Sequence, residues 1–83
     1  MNITLKLYAT LADYLPSGTK GNAVAIGVDG ETSVSEILDR FRVPERMTKL
    51  VLVNGSFVAP EDRSTRTLRD GDHLAVWPPV AGG

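Results

Sequence analysis

Residues 33–42 carry the only pattern in the chain that predicts a helix long enough to cover a β-sheet. Ser33 and Glu36 form an S-x-x-E capping box. The apolar side chains that follow have the spacing i, i+3, i+4 and i+7 of one helix face: Val34, Ile37, Leu38 and Phe41. Pro44 disfavours helical backbone at the residue before it, so we expect the helix to end near Arg42. With one covering helix, a chain of 83 residues has room for one small sheet and one core.

Five other segments have the alternation or the β-branched content of strands: 2–9, 22–28, 50–53, 56–58 and 73–78. We expect the first two strands to pair antiparallel. Asn54-Gly55 predicts a tight hairpin, because a type I′ turn needs positive φ at both central residues. The order of elements predicts an α+β fold, in which the first and last strands are adjacent and central and the helix packs across one face.

A shorter helix is predicted between the first two strands, over residues 11–15. Leu11, Tyr14 and Leu15 have helical spacing, and Pro16 ends the pattern. Thr10 is predicted to be its N-cap.

Composition excludes several classes of function. The chain has no cysteine and a single histidine, His73, which excludes a thiol nucleophile and a cysteine- or histidine-rich metal site. We expect neither a metal nor a bound cofactor. Nine basic and ten acidic residues give a net charge of -1, which argues against nucleic-acid binding driven by bulk charge. No apolar run approaches the ~18 residues of a membrane-spanning helix, and no signal-peptide pattern is visible. We therefore expect a cytoplasmic protein that does not bind membranes.

The direction of each side chain is informative, because one helix can cover only one face of the sheet. The two-residue turn pairs Leu52 with Phe57 and Val51 with Val58, and both pairs are apolar. We expect the valines to face inward and Leu52 and Phe57 outward; a one-residue shift in register would invert this assignment. The predicted core is then Ile3, Leu5, Leu7, Val24, Ile26, Val28, Val34, Ile37, Leu38, Phe41, Val51, Val58, Leu74 and Val76.

Tyr8 and Trp77 have the same outward parity as Leu52 and Phe57. Four large apolar side chains on one solvent face predict a partner-binding surface, since exposed apolar patches mark interaction sites and Trp and Tyr are common binding hot spots. The alternative is that the short helix or the 60–67 loop covers them.

The last residues cannot form a strand interior. Pro78 and Pro79 remove backbone donors and favour an extended spacer, and Gly82 and Gly83 add a slender, flexible end. We therefore predict a folded domain over 1–78 and a flexible tail over 79–83. Such a tail suits insertion into another protein, with Pro79, Val80, Ala81 and Gly82 as the inserted segment. Its chemistry is confined to the α-carboxylate of Gly83, which is unreactive until it is activated. A frayed terminus or a cloning remnant are the alternative interpretations.

The ending WPPVAGG (residues 77–83) strongly resembles the C-terminus of the MoaD/ThiS family of sulfur carriers, and within that family it is most similar to MoaD, the small subunit of molybdopterin synthase. Further matches cover the rest of the chain: Leu5-Lys6-Leu7-Tyr8-Ala9, Val53-Asn54-Gly55, and Leu68 with Asp70-Gly71-Asp72. The resemblance implies a ubiquitin-like β-grasp fold with a mixed sheet of about five strands.

The resemblance also implies a non-catalytic sulfur carrier. In this family an E1-like adenylyltransferase of the MoeB/ThiF type uses ATP to adenylate the terminal glycine, and sulfur then replaces AMP to give a thiocarboxylate. The acceptor enzyme for MoaD is the molybdopterin synthase large subunit. By matching position, Gly83 would carry the sulfur, and Tyr8, Phe57 and Trp77 would lie on the partner-binding face.

Several alternatives stay open. Carriers for thiamin or sulfur amino-acid biosynthesis share this fold and the Gly-Gly end. A ubiquitin-like modifier joined to lysines of target proteins is a second possibility, and a β-grasp binding module that uses only the outward face is a third. In each case we expect a monomer when the protein is free.

Overall fold

The computed structural model describes residues 1–80. Its strands and its α-helix are β1 (Asn2–Leu7), β2 (Ala23–Gly27), α1 (Val34–Arg40), β3 (Leu50–Val53), β4 (Ser56–Phe57) and β5 (His73–Trp77). Short 3₁₀ helices span Ala9–Tyr14, Glu45–Met47 and Pro60–Asp62.

The five strands form one mixed sheet in the order β2-β1-β5-β3-β4. β1 and β5 are parallel neighbours, and the other pairs are antiparallel. The predicted α+β fold, the central position of the first and last strands and the β1–β2 pairing are therefore confirmed. Leu52 pairs with Phe57 and Val53 with Ser56, as the two-residue turn predicts.

Helix α1 begins at the predicted capping box. The Ser33 hydroxyl accepts a hydrogen bond from Glu36 N–H at 3.1 Å, and the Glu36 carboxylate accepts one from Ser33 N–H at 3.4 Å. The helix ends at Arg40, two residues earlier than the prediction. The reason is a Schellman motif in which Arg42 takes a φ of 60° and the N–H of Val43 donates to the Leu38 carbonyl at 3.0 Å.

The segment 60–67 packs against the start of α1, although its sequence predicts only a polar loop. Its carbonyls at Arg63 and Arg66 accept from the N–H groups of Ser35 and Val34, both at 2.9 Å. The Arg63 side chain is 5% exposed, and its Nη1 donates to both the carbonyl and the hydroxyl of Thr48 at 2.8 Å. Arg63 thus ties this segment to the chain that enters β3.

The core lies between α1 and one face of the sheet, as predicted. Three predicted core residues, Val24, Ile26 and Phe41, are only half-buried. Val24 and Ile26 lie on β2 at the sheet edge, where they have fewer neighbours than residues of the central strands, and Phe41 lies at the C-terminal end of α1. The core also includes residues absent from the prediction: Leu11, Leu15, Val43, Val53 and Leu68.

The predicted short helix is a 3₁₀ helix that starts earlier, at Ala9. Tyr8 occupies the N-cap position and makes no side-chain cap, so the prediction of Thr10 as N-cap was wrong. β1 consequently ends at Leu7 rather than at residue 9. Leu11 is fully buried and anchors this helix on the core.

Candidate partner-binding face

The outer face of the sheet carries a contiguous set of large apolar side chains. We call this set the aromatic face; it consists of Tyr8, Leu50, Leu52, Phe57 and Trp77. Phe57 is 59% exposed and Leu50 is 37% exposed, while the other members are half-buried. Val51 and Val58, which alternate with these residues, are buried. The predicted inward and outward parity of the hairpin is therefore confirmed.

Tyr8 and Trp77 form the centre of this face. Their rings stack with centroids 4.1 Å apart and an angle of 7° between the planes. The Tyr8 N–H donates to the Val76 carbonyl at 3.0 Å, which holds the end of β1 beside the end of β5. Stacking hides part of each ring and leaves the rest open to a partner.

The hairpin extends the aromatic face toward the other edge of the sheet. Leu50 is opposite Trp77, and Leu52 is opposite Phe57. The sequence prediction missed Leu50, although its separation of two residues from Leu52 gives it the same outward parity. Phe57 is 59% exposed, so neither the 3₁₀ helix at Ala9–Tyr14 nor the 60–67 segment covers it. The alternative in which these segments cover all the outward side chains was therefore wrong. That a partner binds here stays a prediction.

A hydrogen-bond network positions the hairpin turn against the start of β5. Asn54 and Gly55 have φ values of 50° and 84°, as a type I′ turn requires. The Asn54 amide donates to Asp72 Oδ1 at 2.8 Å and accepts from the His73 N–H at 2.8 Å. The Arg69 N–H donates to Asp72 Oδ2 at 2.8 Å.

This network stabilises the charged form of Asp72. The hydrogen bond from the Arg69 backbone is the main cause, with help from the Asn54 amide, and together they hold the pKa of Asp72 below its usual value. The sequence predicts the Asn-Gly and Asp-Gly-Asp turns separately. The structure shows that the hydrogen bond from the Asn54 amide to the Asp72 carboxylate joins the two turns. This bond holds in place the hairpin that carries Phe57.

The chain leaves the sheet directly from the aromatic face. Trp77 is the last residue of β5, and Pro78 follows it. Pro79 is exposed and Val80 is 77% exposed. Three predicted tail residues, Ala81, Gly82 and Gly83, lie outside the described residues, so their predicted role stays a prediction.

Other candidate chemistry is sparse in residues 1–80. His73 is exposed at the start of β5. No group of three His, Cys, Asp or Glu side chains in this range is placed to hold a metal ion. Within the same range, no helix is both long and apolar enough to cross a membrane.

The mixed sheet with α1 across one face defines a small ubiquitin-like β-grasp protein. Residues 1–82 match the family described as Mut7-C ubiquitin, and the chain belongs to that family. No curated protein matches the sequence significantly.

Solved structures support the same class. SAMP1 from Haloferax volcanii is 28% identical with a TM-score of 0.70, and the match covers 100% of both chains. The HVO 2177 protein of Haloferax volcanii is also 28% identical, with a TM-score of 0.76 over 100% of this chain and 87% of that one. The molybdopterin-converting factor of Helicobacter pylori, solved as a complex of subunits 1 and 2, is 17% identical with a TM-score of 0.62 over 100% of both chains. At that identity it shares the fold alone.

Proposed function

We propose that this protein is a sulfur carrier whose working group is the C-terminal carboxylate of Gly83. The observation that carries the proposal is the continuity between the aromatic face and the tail. β5 contributes Trp77 to this face and then runs through Pro78 and Pro79 to the exposed Val80. A partner that binds the aromatic face therefore meets the departing chain beside it.

The proposed chemistry takes place on the terminus and requires no side chain of this protein. The Gly83 carboxylate attacks the α-phosphate of ATP, and pyrophosphate leaves. A hydrosulfide-level nucleophile then attacks the acyl carbon, and AMP leaves with the electron pair of the C–O bond. The product is a thiocarboxylate, and the chain's lack of cysteine is consistent with sulfur held on a carbonyl carbon.

The proposed partners are an E1-like adenylyltransferase, which supplies the ATP site, and an acceptor enzyme that takes the sulfur. Molybdopterin synthase large subunit is the proposed acceptor, supported by the WPPVAGG ending and by the shared fold of the Helicobacter pylori complex. Acceptors in thiamin or sulfur amino-acid biosynthesis are the alternatives within the same chemistry.

Intact-mass measurement tests the carrier proposal. The protein is purified from its native organism and, separately, after co-expression with the E1-like enzyme encoded there. We expect a C-terminal mass gain equal to the exchange of one oxygen for sulfur. The gain should vanish when Gly83 is deleted and persist in a Glu31→Gln control, which changes an exposed residue outside the tail and the aromatic face. A native chain that continues past Gly83, or no gain with an active E1-like enzyme, would contradict the proposal.

A protein modifier is the second candidate, favoured by the 28% identity to SAMP1, which is a small archaeal modifier protein. In that case the activated Gly83 would form an isopeptide bond with lysines of target proteins. A Val80→Arg substitution adds a tryptic cleavage site, so a modified lysine would carry an Ala-Gly-Gly remnant. Remnants that depend on Gly83 would establish the modifier function. If no remnant is found and the protein is still loaded with sulfur, the carrier function is the one supported.

A β-grasp binding module is the remaining alternative. It predicts that deletion of Gly82 and Gly83 leaves every partner interaction and cellular phenotype unchanged. Loss of function on that deletion, with the fold intact, would exclude it.

A further inference from the structure

A cavity of about 320 Å³ lies on the helix side of the molecule, away from the surface that the carrier proposal uses. Residues of α1, of the connection that leads to β3 and of the 60–67 segment line it. Its buried lining includes Leu38, Val43, Thr48 and Arg63. No residue of the aromatic face lines this cavity. A ligand held here would therefore leave the aromatic face free.

The guanidinium of Arg63, which lines this cavity, has one nitrogen without a hydrogen-bond partner. Its Nε donates to the Val58 carbonyl at 3.4 Å, and its Nη1 donates to the carbonyl and the hydroxyl of Thr48, so the plane of the group is held in place. Nη2 is buried and donates to no group within residues 1–80. A buried donor without an acceptor is unfavourable, above all on a charged group. Arg63 therefore favours a ligand that brings an acceptor, and an anionic acceptor most of all.

The rim of the cavity carries the opposite charge. Asp39, Glu45 and Glu61 line it and are exposed. Burial lowers the pKa of Arg63, and the carboxylates of Glu45 and Glu61 act in the opposite direction. A guanidinium stays protonated in proteins. The cavity thus combines one buried cation with three exposed carboxylates.

This distribution of charge selects a ligand of the reverse polarity. Its anionic group should enter first, toward Arg63, and its cationic groups should stay among the rim carboxylates. An inorganic anion fits poorly, because three carboxylates repel it. A simple cation also fits poorly, because it leaves Nη2 of Arg63 unpaired. Since the carboxylates outnumber the cation, the ligand should have a net positive charge.

The uncharged lining adds two further requirements. Leu38, Val43 and Pro60 provide apolar contacts for an alkyl chain. The hydroxyls of Ser35 and Ser64 line the same cavity and are able to donate to a carboxylate. A basic α-amino acid has every part required: a carboxylate, an alkyl chain and two cationic groups.

We propose that this cavity binds a free basic α-amino acid, represented by lysine. The α-carboxylate would pair with Arg63, and the two ammonium groups would lie among Asp39, Glu45 and Glu61. Because Nη2 of Arg63 is covered, exposed side chains at the rim must move aside when the ligand enters. The site involves neither Gly83 nor the aromatic face, so it is a binding function separate from sulfur transfer.

A ¹H–¹⁵N NMR titration with L-lysine at constant ionic strength tests the site. We expect saturable shifts at residues 35–48 and 60–64. Cadaverine lacks the carboxylate and norleucine lacks the ε-ammonium, so each should bind at least about fivefold more weakly than lysine. Nα-acetyl-lysine imitates the C-terminal residue of a peptide. It has lost the α-ammonium and should also bind more weakly.

Variants of the protein provide a matched pair. Glu61→Gln should weaken lysine binding about two- to fivefold, whereas Asp62→Asn, the same kind of change at a neighbour outside the cavity lining, should not. Arg63→Lys keeps the positive charge but removes Nη2, so it should abolish the preference for lysine over cadaverine. A thermal melt checks folding, because Arg63 also holds the 60–67 segment. The series of ligands tests the site without any substitution.

Three results would each overturn the proposal. The first is no saturable shift with lysine, which would leave Nη2 paired with water alone. The second is equal binding of lysine and cadaverine. The third is binding of Nα-acetyl-lysine as tight as that of lysine, which would assign the cavity to a peptide C-terminus. Deletion of Gly82 and Gly83 should leave lysine affinity unchanged, so failure here is distinguishable from failure of the carrier proposal.

Discussion

Both faces of the sheet carry large apolar side chains, yet only one of them builds the core. Leu74 on β5 is 0% exposed beneath α1, whereas Leu52, on the neighbouring strand, faces outward and is half-buried. In the hairpin, hydrophobic composition therefore does not decide which side chains are inside; coverage by the single helix decides it. The apolar side chains on the uncovered face contribute less to folding and are available for binding.

The sharpest test of this difference makes one substitution on each face. Leu74→Ala should lower the free energy of unfolding by about 2–5 kcal/mol, because it leaves a cavity in a closed core. Leu52→Ala, the matched outer-face change, should cost about 1 kcal/mol or less, since its side chain is already partly in water. Urea unfolding of both variants measures the two values. Equal losses would show that the outer face is as much a part of the core as the inner one.

The reverse asymmetry should hold for binding. Trp77→Ala should weaken association with the proposed E1-like partner by about 1–2 kcal/mol, because the residue is at the centre of the aromatic face. Phe57→Ala tests the same face without removing the Tyr8–Trp77 stack. Calorimetric titration gives the affinities, and Leu74→Ala, used at a temperature where it is folded, serves as the control. Unchanged affinity for both aromatic variants would reject the face as a binding surface.

A smaller effect is expected where α1 begins. Ser33→Ala removes the side-chain oxygen that accepts from Glu36 N–H and should cost about 1 kcal/mol. The control is Ser35→Ala, whose hydroxyl makes no hydrogen bond within residues 1–80. Partner affinity should be the same for both variants, because α1 supports the inner face. A loss of partner affinity in Ser33→Ala but not in Ser35→Ala would show that the start of α1 affects binding at the aromatic face.

The smallest expected effect is the dependence of stability on pH at the hairpin turn. Asp72 has a lowered pKa in the folded state, so its stabilisation is present above the unfolded value of about 3.9 and disappears as the pH falls through the folded value. Asp72→Asn should therefore be less stable than wild type at neutral pH, and the two should converge in acid. Urea unfolding across the acid range measures this. Ser64→Ala, which changes an exposed side chain and leaves every carboxylate in place, should follow the wild-type curve.

Local signals in the sequence predict much of this architecture. The Ser33–Glu36 capping box and the Asn54-Gly55 turn each involve residues close in sequence, and their geometry follows from short-range hydrogen bonding. A single helix predicts that one apolar set of the hairpin faces outward, and the smaller volume of Val51 and Val58 predicts that the valines are the inward set. These local features were sufficient to predict the class of fold and four of the five residues of the aromatic face.

Long-range contacts account for what the sequence does not predict. Nothing local marks Arg63 for burial, since its partner Thr48 is 15 residues away. Val24 and Ile26 have the alternation of core residues, and only the strand order reveals that they lie at an edge. The link from Asn54 to Asp72 spans 18 residues in the same way. Edge positions and buried charges depend on the completed sheet, so they are the features that required a structure.

The central pairing of β1 with β5 has a consequence for synthesis of the protein. β1 is made first, but its parallel neighbour is made last, and the Asn2 N–H reaches Asp70 across 68 residues of sequence. Contacts of such high sequence separation slow folding and demand that both ends be present. A nascent chain on the ribosome cannot close its sheet until residues 73–77 have emerged from the exit tunnel. Chains truncated before residue 73 lack β5, which joins β1 to β3, and should therefore be substrates for proteolysis.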